Sequence, residues 1–448
     1  MPAPEYKEFD LEISRGPDDM YKVDVIRSPA GEAHETFKGL FEKFELENYL
    51  LKLGPVRRGV RRGPSKDTSV AEAFGTKLFT QVFCGKVGDR FSACLDQIDT
   101  RTIPGLRVSL RLVGVPELAQ LPWEFLFHPD RRFIALSQRT PIVRYIDLPR
   151  PATPLQVAAP LRVLTVVASP SDYDQLDAAK EKQNVREALK DLTERGLVEG
   201  DLLEPATFGA LQKRLRQDPV HVLHFIGHGS WDGDTGSLVF EGPDGKSAEI
   251  DADTLATLLC DHDPLRLVVL NACESAKSSP TNPYAGTAAT LIRHGIPAVV
   301  AMQFDISDDA ALQFSQAFYQ AIADGYPAEA ALAEARKAMN GQGSVVEWGT
   351  PVLFSRSLDG RLFDLKRVKR VAADAEQQDA QSERASEATA EEGVPSKRGP
   401  NPAKGEFSDQ EGKTAREREL EGRVQMLEEM YRKVAVENEK LLNQTRKK

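Results

Sequence analysis

The chain has 448 residues, of which 41% are hydrophobic, so it can build a sizeable buried core and hold two or three domains. Its formal net charge of −10 opposes non-specific binding to nucleic acid and favours protein partners. No apolar stretch is long enough to span a bilayer, and the N-terminus lacks the layout of a signal peptide, so we expect a cytoplasmic protein without membrane contact.

The first part of the chain, residues 1–100, predicts a small α+β region. Apolar and polar residues alternate over Phe9–Ile13 and again over Tyr21–Val25, which indicates a hairpin with one wet face. Glu35–Lys52 predicts a first helix, because apolar residues recur there at helical spacing, namely Phe37, Leu40, Phe41 and Phe44. A second helix is expected to include Leu78–Val82.

Two further strands are predicted before the central part of the chain. Apolar residues alternate with polar ones over Leu106–Leu112, and Ile142–Ile146 is another short strand. We interpret both as an antiparallel edge added to the main sheet. The proline-rich stretch Pro149–Pro160 then indicates an extended connector, after which Leu161–Ala168 begins the core.

Helices and strands alternate in the central part of the chain. Val185–Leu192 and Leu211–Leu215 each place apolar residues on one helical face. The apolar runs Val220–Ile226 and Leu267–Leu270 show no polar alternation, which is typical of strands covered on both faces. Strands joined by helices favour right-handed crossovers and a mainly parallel sheet, so the predicted fold class is α/β.

Both apolar runs end in residues that can perform chemistry. The first leads into Gly-His-Gly, centred on His228, and the second into Asn-Ala-Cys, which ends at Cys273. Because reactive groups collect at the carboxyl ends of parallel strands, we predict a Cys/His dyad. Cys273 would attack as a thiolate, His228 would handle the proton, and the N–H groups of Gly229 and Cys273 would bind the oxyanion. This mechanism requires no cofactor.

Other residue patterns near His228 predict no metal site. On a strand, His221 and His224 point to opposite faces, whereas metal ligands have to converge. The four cysteines show no paired metal spacing and are too few for a disulfide scaffold. The Asp- and Gly-rich stretches around Ser237–Glu241 are explained by turns, and they predict a β-hairpin beside the His228 loop.

Several motifs resemble those of known cysteine peptidases. His-Gly followed by Ala-Cys resembles the caspase arrangement, and Ala272–Ser275 is similar to the Ala-Cys-Glu-Ser of legumains. Tyr284–Asp308 resembles the stretch after the cysteine in CHAT-domain and separase-type peptidases, which ends in an aromatic-Asp-x-x-Asp motif. Leu121–Phe125 resembles the Leu-Pro-Trp-Glu of CHAT domains, and Trp348–Phe354 resembles their closing Trp-x-x-Phe strand. The resemblance covers Leu106–Asp364.

This resemblance implies a caspase-like three-layer α/β/α sandwich in residues 101–365 that acts as a cysteine endopeptidase on protein substrates. It also implies an acidic S1 pocket for Arg or Lys, with Asp305 and Asp308 as contributors, since a carboxylate pairs well with a guanidinium. The alternative is that these aspartates begin a helix near Asp309, with Ser307 or Asp308 as its N-cap. A prokaryotic defence or programmed cell death setting is what the family suggests.

The composition changes again in the C-terminal part of the chain. Residues 366–412 are rich in Ala, Glu, Gln, Ser and Pro and predict a disordered linker. Residues 413–448 contain a heptad seam, with Asn438 at an a position and with d positions at Leu420, Leu427, Val434 and Leu441. The seam predicts a leucine-zipper-like coiled coil that forms a homodimer or binds a regulatory protein partner. The alternative is an amphipathic helix that docks on the catalytic body.

Two other functions are weighed against a peptidase. One is a non-catalytic scaffold of the same fold that dimerises and recruits partners through its C-terminal coiled coil. The presence of both His228 and Cys273 argues against it, because a degenerate copy tends to lose one of them. The other is nucleic-acid binding through Arg57–Arg62, which we interpret as a solvated basic loop. The acidic net charge argues against direct contact with nucleic acid.

Overall fold

The computed structural model describes residues 4–53, 64–149, 152–173, 176–231, 236–272, 283–341 and 346–366. The strands within these ranges are β1 (Lys7–Arg15), β2 (Tyr21–Arg27), β3 (Ala33–Phe37), β4 (Leu106–Val113), β5 (Phe127–His128), β6 (Arg132–Phe133), β7 (Ile142–Tyr145), β8 (Leu155–Ala158), β9 (Leu161–Val167), β10 (Val198–Leu202), β11 (Val222–Trp231), β12 (Gly236–Glu241), β13 (Ser247–Asp251), β14 (Leu267–Ala272), β15 (Ala298–Met302), β16 (Pro351–Ser355) and β17 (Phe363–Lys366). The helices are α1 (Lys43–Leu53), α2 (Pro64–Val82), α3 (Gly85–Asp99), α4 (Pro116–Ala119), α5 (Ala178–Glu194), α6 (Phe208–Leu215), α7 (Ala252–Cys260), α8 (Pro283–Arg293), α9 (Asp308–Ala323) and α10 (Ala328–Gly341).

One large sheet organises the described part of the chain. Its continuous strand order is β10, β9, β11, β14, β15, β16, β7, β4, β1, β2 and β3, and β12 and β13 extend it from β11. The strands from β10 to β15 in this order are parallel, and β15 and β16 are antiparallel. The right-handed crossover rule assigns α6, α7 and α8 to one face of the sheet and α5 to the other, and the contacts agree, since α7 packs on α8, α5 on α9 and α9 on α10. The predicted three-layer α/β/α fold with a mainly parallel sheet is therefore confirmed.

The centre of the sheet is dry on both faces. All four residues of Leu267–Leu270 in β14 are fully buried, as are Ala298–Val300 in the neighbouring β15. The predicted helices α5 and α6 also form, and they turn Val185, Leu189, Leu192, Leu211 and Leu215 inward. The prediction that Val220–Ile226 and Leu267–Leu270 are covered on both faces is confirmed, because β11 and β14 each lie between two parallel neighbours and their apolar side chains are buried.

The prediction of an antiparallel edge formed by β4 and β7 is wrong. β4 pairs in parallel with β1 and β7, β7 pairs in parallel with β16, and both strands lie inside the sheet. The alternating polar residues of β4 suggested a wet face, but Arg107 is only 1% exposed. Its guanidinium forms ion pairs with Glu8 at 2.8 Å and Glu329 at 3.2 Å. The polar face of β4 is therefore satisfied by ion pairs inside the protein and not by water.

The N-terminal hairpin and the α2 helix form as predicted, whereas the helix predicted over Glu35–Lys52 forms only in its second part. β1 and β2 are antiparallel, and β1 joins the main sheet beside β4. Phe37 ends strand β3, and α1 begins only at Lys43. The reason is a cross-strand contact, since Phe37 is the register partner of Tyr21 and their rings stack at 5.4 Å.

Two further findings concern the rest of the chain. None of the helices in the described ranges combines the length and apolar character needed to cross a bilayer. Lys366 ends β17, and the remainder of the predicted linker, the predicted coiled coil of residues 413–448 and the basic loop Arg57–Arg62 lie outside the described residues.

Candidate active site

The predicted dyad falls at the carboxyl edge of the parallel strands. β9, β11, β14 and β15 run in the same direction, so their carboxyl ends meet at one edge of the sheet. Within this edge, Gly227 of β11 is the register partner of Ala272 of β14. These two residues are followed directly in the sequence by His228 and Cys273. Cys273 itself lies outside the described residues.

His228 lies on a strand and not in the predicted loop. β11 continues through Gly-His-Gly to Trp231, and its partners change at this point. Pairing with β14 ends at Gly227, and from His228 onward β11 pairs antiparallel with β12, starting with Val239. The hairpin predicted beside the histidine is confirmed, and it provides the new hydrogen-bonding edge. His228 is consequently held on a regular backbone and is only 6% exposed.

The glycines beside His228 have distinct structural roles. A Cβ at Gly227 would lie 3.0 Å from the ring of Phe225 and 3.2 Å from the carbonyl oxygen of Ala168, so a side chain there would press on the neighbouring strand. Gly229, which was predicted to donate to an oxyanion, is the register partner of Leu238 in β12. Glycine therefore permits the close approach of β9 and β11 just before the histidine.

A tyrosine that the sequence analysis did not identify packs against His228. The ring centroid of Tyr173 lies 5.3 Å from that of His228, with a 41° angle between the ring planes. The Tyr173 hydroxyl donates to Oε1 of Glu249 at 2.9 Å, and Ser230 Oγ donates to Oε2 of the same carboxylate at 2.9 Å. Burial and then the hydrogen bond to Glu249 raise the pKa of Tyr173 to about 12, so the phenol remains a donor at neutral pH.

The segment that carries Tyr173 is fastened to the hairpin at several points. After β9 ends, the backbone N–H of Ser169 donates to Oε1 of Glu241 at 3.1 Å. Farther along, the backbone N–H and the hydroxyl of Ser247 donate to the carboxylate of Asp172 at 2.6 and 2.9 Å. The carboxyl end of the predicted strand Leu161–Ala168 was the available sequence signal, because it places the following residues at the same edge as His228.

Asp305 and Asp308 occupy different environments at the start of α9. Asp305 follows β15 by three residues and is partly buried. Because β15 lies two strands from β11 in the sheet and neighbouring strands are about 4.8 Å apart, the two strand ends are roughly 10 Å apart. Ser307 is the N-cap of α9, with its side chain accepting from the N–H of Ala310. Asp308 in the first turn forms an ion pair with Lys180 of α5.

Three of the motifs noted in the sequence meet in one buried network. Glu124 accepts from Nη2 of Arg144 at 3.1 Å and from Nε2 of Gln303 at 2.9 Å. Gln303 also donates to the carbonyl of Gly349 at 2.7 Å. Glu124 belongs to the Leu-Pro-Trp-Glu motif, Gln303 precedes Phe304-Asp305, and Gly349 belongs to the closing Trp-Gly-Thr-Pro motif. The network therefore fixes the segment that leads to Asp305.

Aromatic packing joins the same motifs. The Trp348 ring makes edge contacts with Phe125 at 5.1 Å and with Phe133 at 4.8 Å between ring centroids. A side chain at Gly349 would overlap the ring of Phe125. Trp123 is fully buried, and its indole N–H donates to the carbonyl of Leu118 at 2.7 Å. The two motifs therefore have a packing role, since their large rings contact one another in the core.

The other histidines of β11 have structural partners. His221 Nδ1 accepts from the backbone N–H of Arg162 at 2.9 Å, and His224 Nδ1 lies 3.1 Å from the hydroxyl of Tyr319. Burial lowers the pKa of both imidazoles to about 4. Among the residues that the structure describes, no group of three or more His, Cys, Asp or Glu side chains could hold a metal ion.

Comparisons with known proteins show which family and which solved structures the chain resembles. A sequence model of the CHAT domain family matches residues 83–380. Separase in the Saccharomyces cerevisiae separase–securin complex at 3.0 Å is 12% identical, with a TM-score of 0.45, and the match covers 81% of this chain and 30% of the separase chain. Gingipain R, an Arg-specific cysteine proteinase, is 12% identical, with a TM-score of 0.36 and coverage of 72% and 75%. No curated protein sequence matches the chain.

Proposed function

The chain belongs to the CHAT domain family, and on this premise we propose that it is a cysteine endopeptidase with His228 and Cys273 as its catalytic dyad. The pairing of Gly227 with Ala272 is the observation that supports the proposal most, because each of these residues directly precedes one member of the dyad. The second support is the burial of His228 against Tyr173, which gives the imidazole a defined position.

In the proposed mechanism, His228 takes the proton of the Cys273 thiol, and the resulting thiolate attacks the scissile carbonyl carbon. The negative charge that develops on the carbonyl oxygen is accepted by the N–H groups of Gly229 and Cys273, each contributing about 3 to 4 kcal/mol in related oxyanion holes. His228 then protonates the amine as the C–N bond breaks, which leaves a thioester on Cys273. Water, deprotonated by His228, hydrolyses the thioester and restores the thiol.

We assign Asp305 the larger role in substrate recognition and propose cleavage after Arg or Lys. Asp308 is already paired with Lys180, so a substrate guanidinium would have to displace that lysine. Asp305 lies closer in sequence to the end of β15, and the Glu124 network holds the residue two positions before it. A carboxylate at this position would bind a guanidinium better than an uncharged side chain would.

Regulation is assigned to residues 413–448, which we propose form a coiled coil that dimerises or binds a regulatory protein. The coiled coil rests on the heptad seam with Asn438 at an a position. In the solved structure to which this chain is similar, separase is in a complex with securin. A cytoplasmic defence or programmed cell death role belongs to the same proposal.

The proposal is tested with fluorogenic peptides that differ only at P1, with Arg, Lys, Asp, Asn or Leu. The full-length protein is expected to cleave after Arg and Lys, and Asp305→Asn should lower kcat/KM for these substrates about 10- to 100-fold, which corresponds to one charge-assisted contact. Asp308→Asn, the matched variant, should change it less than about 3-fold because its carboxylate is occupied by Lys180.

Each outcome of this assay has a different meaning. Cleavage after Asp or Asn would retain the peptidase and remove the S1 assignment of Asp305 and Asp308. Equal effects of the two Asn variants would also contradict that assignment. No hydrolysis of any of the peptides, with or without the protein that binds residues 413–448, would favour a non-catalytic scaffold.

Tyr173 is expected to act as a positioning residue for His228. Tyr173→Phe keeps the ring and loses the hydrogen bond to Glu249, so kcat should fall about 3-fold with KM unchanged. Tyr173→Ala also removes the ring against the imidazole, and we expect about a 30-fold loss in kcat. Tyr49→Phe is the matched control, because the Tyr49 ring packs against Phe41 and Phe74 in the N-terminal part of the chain. A rise in KM that grows from Tyr173→Phe to Tyr173→Ala would contradict the positioning role. Equal losses of kcat in Tyr173→Phe and Tyr49→Phe would also contradict it.

A further inference from the structure

A cleft at the opposite edge of the sheet brings two arginines together. Arg266 directly precedes β14, and Arg356 directly follows β16. Because β16 runs antiparallel to β15, its end returns to the start of β15, where Arg356 N–H donates to the carbonyl of Pro297 at 3.1 Å. The carbonyl of Arg266 accepts from the N–H of Ala298 at 3.2 Å on the other side of β15. Both residues line a cleft of about 490 Å³.

The charge of Arg266 is poorly compensated. Its Nη1 donates to backbone carbonyls, those of Asp263 and Leu265, and its Nε is buried without a hydrogen-bond partner. Within the described ranges, Arg266 forms no ion pair with a carboxylate. Arg144, by contrast, is paired with the buried Glu124 at 3.1 Å. A half-buried guanidinium is costly unless an anion balances it.

Arg356 adds a second positive charge to the same cleft. Its Nη2 donates to the carbonyl of Gly295 at 2.5 Å, which holds the guanidinium at the wall. Burial lowers the pKa of Arg266, the charge of Asp263 opposes this shift, and the charge of Arg356 adds a smaller lowering. Asp263 also lines the cleft, and the nearby His294 is already paired with Asp253 at 2.8 Å. Among the described residues that line the cleft, two arginines and one aspartate carry a full charge, and these sum to a positive charge.

We propose that this cleft binds the phosphate group of a small organic phosphate between Arg266 and Arg356. Planar guanidinium forks match the oxygens of a phosphate, which can accept from both arginines at once. The cleft is much larger than a phosphate ion, and its volume falls in the range of small-molecule sites. Thr153 offers a hydroxyl and Leu259 and Ile296 offer apolar walls for the remainder of the ligand.

The test is a thermal unfolding titration of the full-length protein with inorganic phosphate and with adenosine monophosphate, at ionic strength matched by sodium chloride. Both probes are expected to raise the unfolding temperature along a saturable curve, since a ligand that binds only the folded state stabilises it. Tighter binding of the nucleotide would identify an organic phosphate as the ligand, and equal binding would identify free phosphate. Isothermal titration calorimetry supplies the affinity independently of unfolding.

Variants separate this site from general salt effects. Arg266→Gln and Arg356→Gln should each weaken phosphate binding at least 10-fold, and Arg266→Lys, which keeps the charge and loses the fork, should weaken it less. Asp263→Asn should strengthen binding. Arg195→Gln, at an exposed arginine paired with Asp191, should bind as the wild type does. The proposal is overturned if phosphate gives no saturable shift beyond sodium chloride, or if the calorimetric affinity of the Arg266 and Arg356 variants equals that of the wild type.

Discussion

Cys273→Ala is expected to abolish peptide hydrolysis, with a fall in kcat of about 10⁴-fold or more, because no other group can form the thioester. His228→Ala should cause a loss of the same order, since the thiolate then lacks its proton acceptor and the leaving amine its donor. The two residues act as one unit, so the double variant should be no less active than either single variant. The measurement is kcat for the peptide with the best P1 residue, at an enzyme concentration high enough to detect a single turnover.

Matched controls for the dyad are present in the same chain. Cys260 is an exposed thiol at the end of α7, and Cys260→Ala should retain wild-type activity. His34 lies exposed on β3, far along the sheet from β11, and His34→Ala should also leave kcat unchanged. If Cys273→Ala retained activity and Cys260→Ala lost it, the nucleophile would be Cys260, and the proposed dyad would be contradicted.

The central strands could be predicted because their residues face apolar surroundings on both sides. Val220–Ile226 and Leu267–Leu270 carry no polar alternation, and only a doubly covered strand accommodates such a run. The same reasoning placed His228 at the rim of the sheet. It could not reveal that β11 continues beyond it, because the continuation depends on a new partner, β12, which lies eight or more residues farther along.

Polar residues inside the fold were harder to interpret from sequence. Arg107 and Ser109 alternate with apolar residues as they would on a wet strand, yet both are buried. The partners that make this possible, Glu8 and Glu329, are 99 and 222 residues away in the chain. Local periodicity contains no information about such distant charges, so β4 was assigned to an edge when it lies within the sheet.

The same limit applies to the candidate site. Tyr173 could be placed near His228 only by knowing that β9 is the immediate neighbour of β11. The residues of one strand do not show which other strand lies beside it. The Leu-Pro-Trp-Glu and Trp-Gly-Thr-Pro motifs were recognisable in the sequence, but their structural role is seen only in the contacts between them. Glu124 and Gly349 meet at Gln303, and this links both motifs to the strand end that carries Asp305.

Glu124→Met is expected to lower the free energy of unfolding by about 3 to 5 kcal/mol, because it leaves buried guanidinium groups without a counter-charge. Arg144 is 5% exposed and pairs with Glu124 at 3.1 Å. The charge of Glu124 also acts on Arg336, a fully buried residue whose pKa burial lowers to about 10. One carboxylate thus balances two buried cations that repel each other.

This arrangement predicts an asymmetry between the two partners of the ion pair. Arg144→Met should cost less than Glu124→Met, because the remaining Glu124 still has Arg336 and Gln303, and the repulsion between the arginines is removed. Urea unfolding of both variants is compared with Glu72→Met, which breaks the more exposed pair with Arg132 and should cost less than about 1 kcal/mol. Glu124→Met should also reduce cleavage after Arg, since Gln303 loses the contact that fixes the approach to Asp305. A cost for Glu124→Met no greater than that of Arg144→Met would show that Glu124 does not balance both arginines.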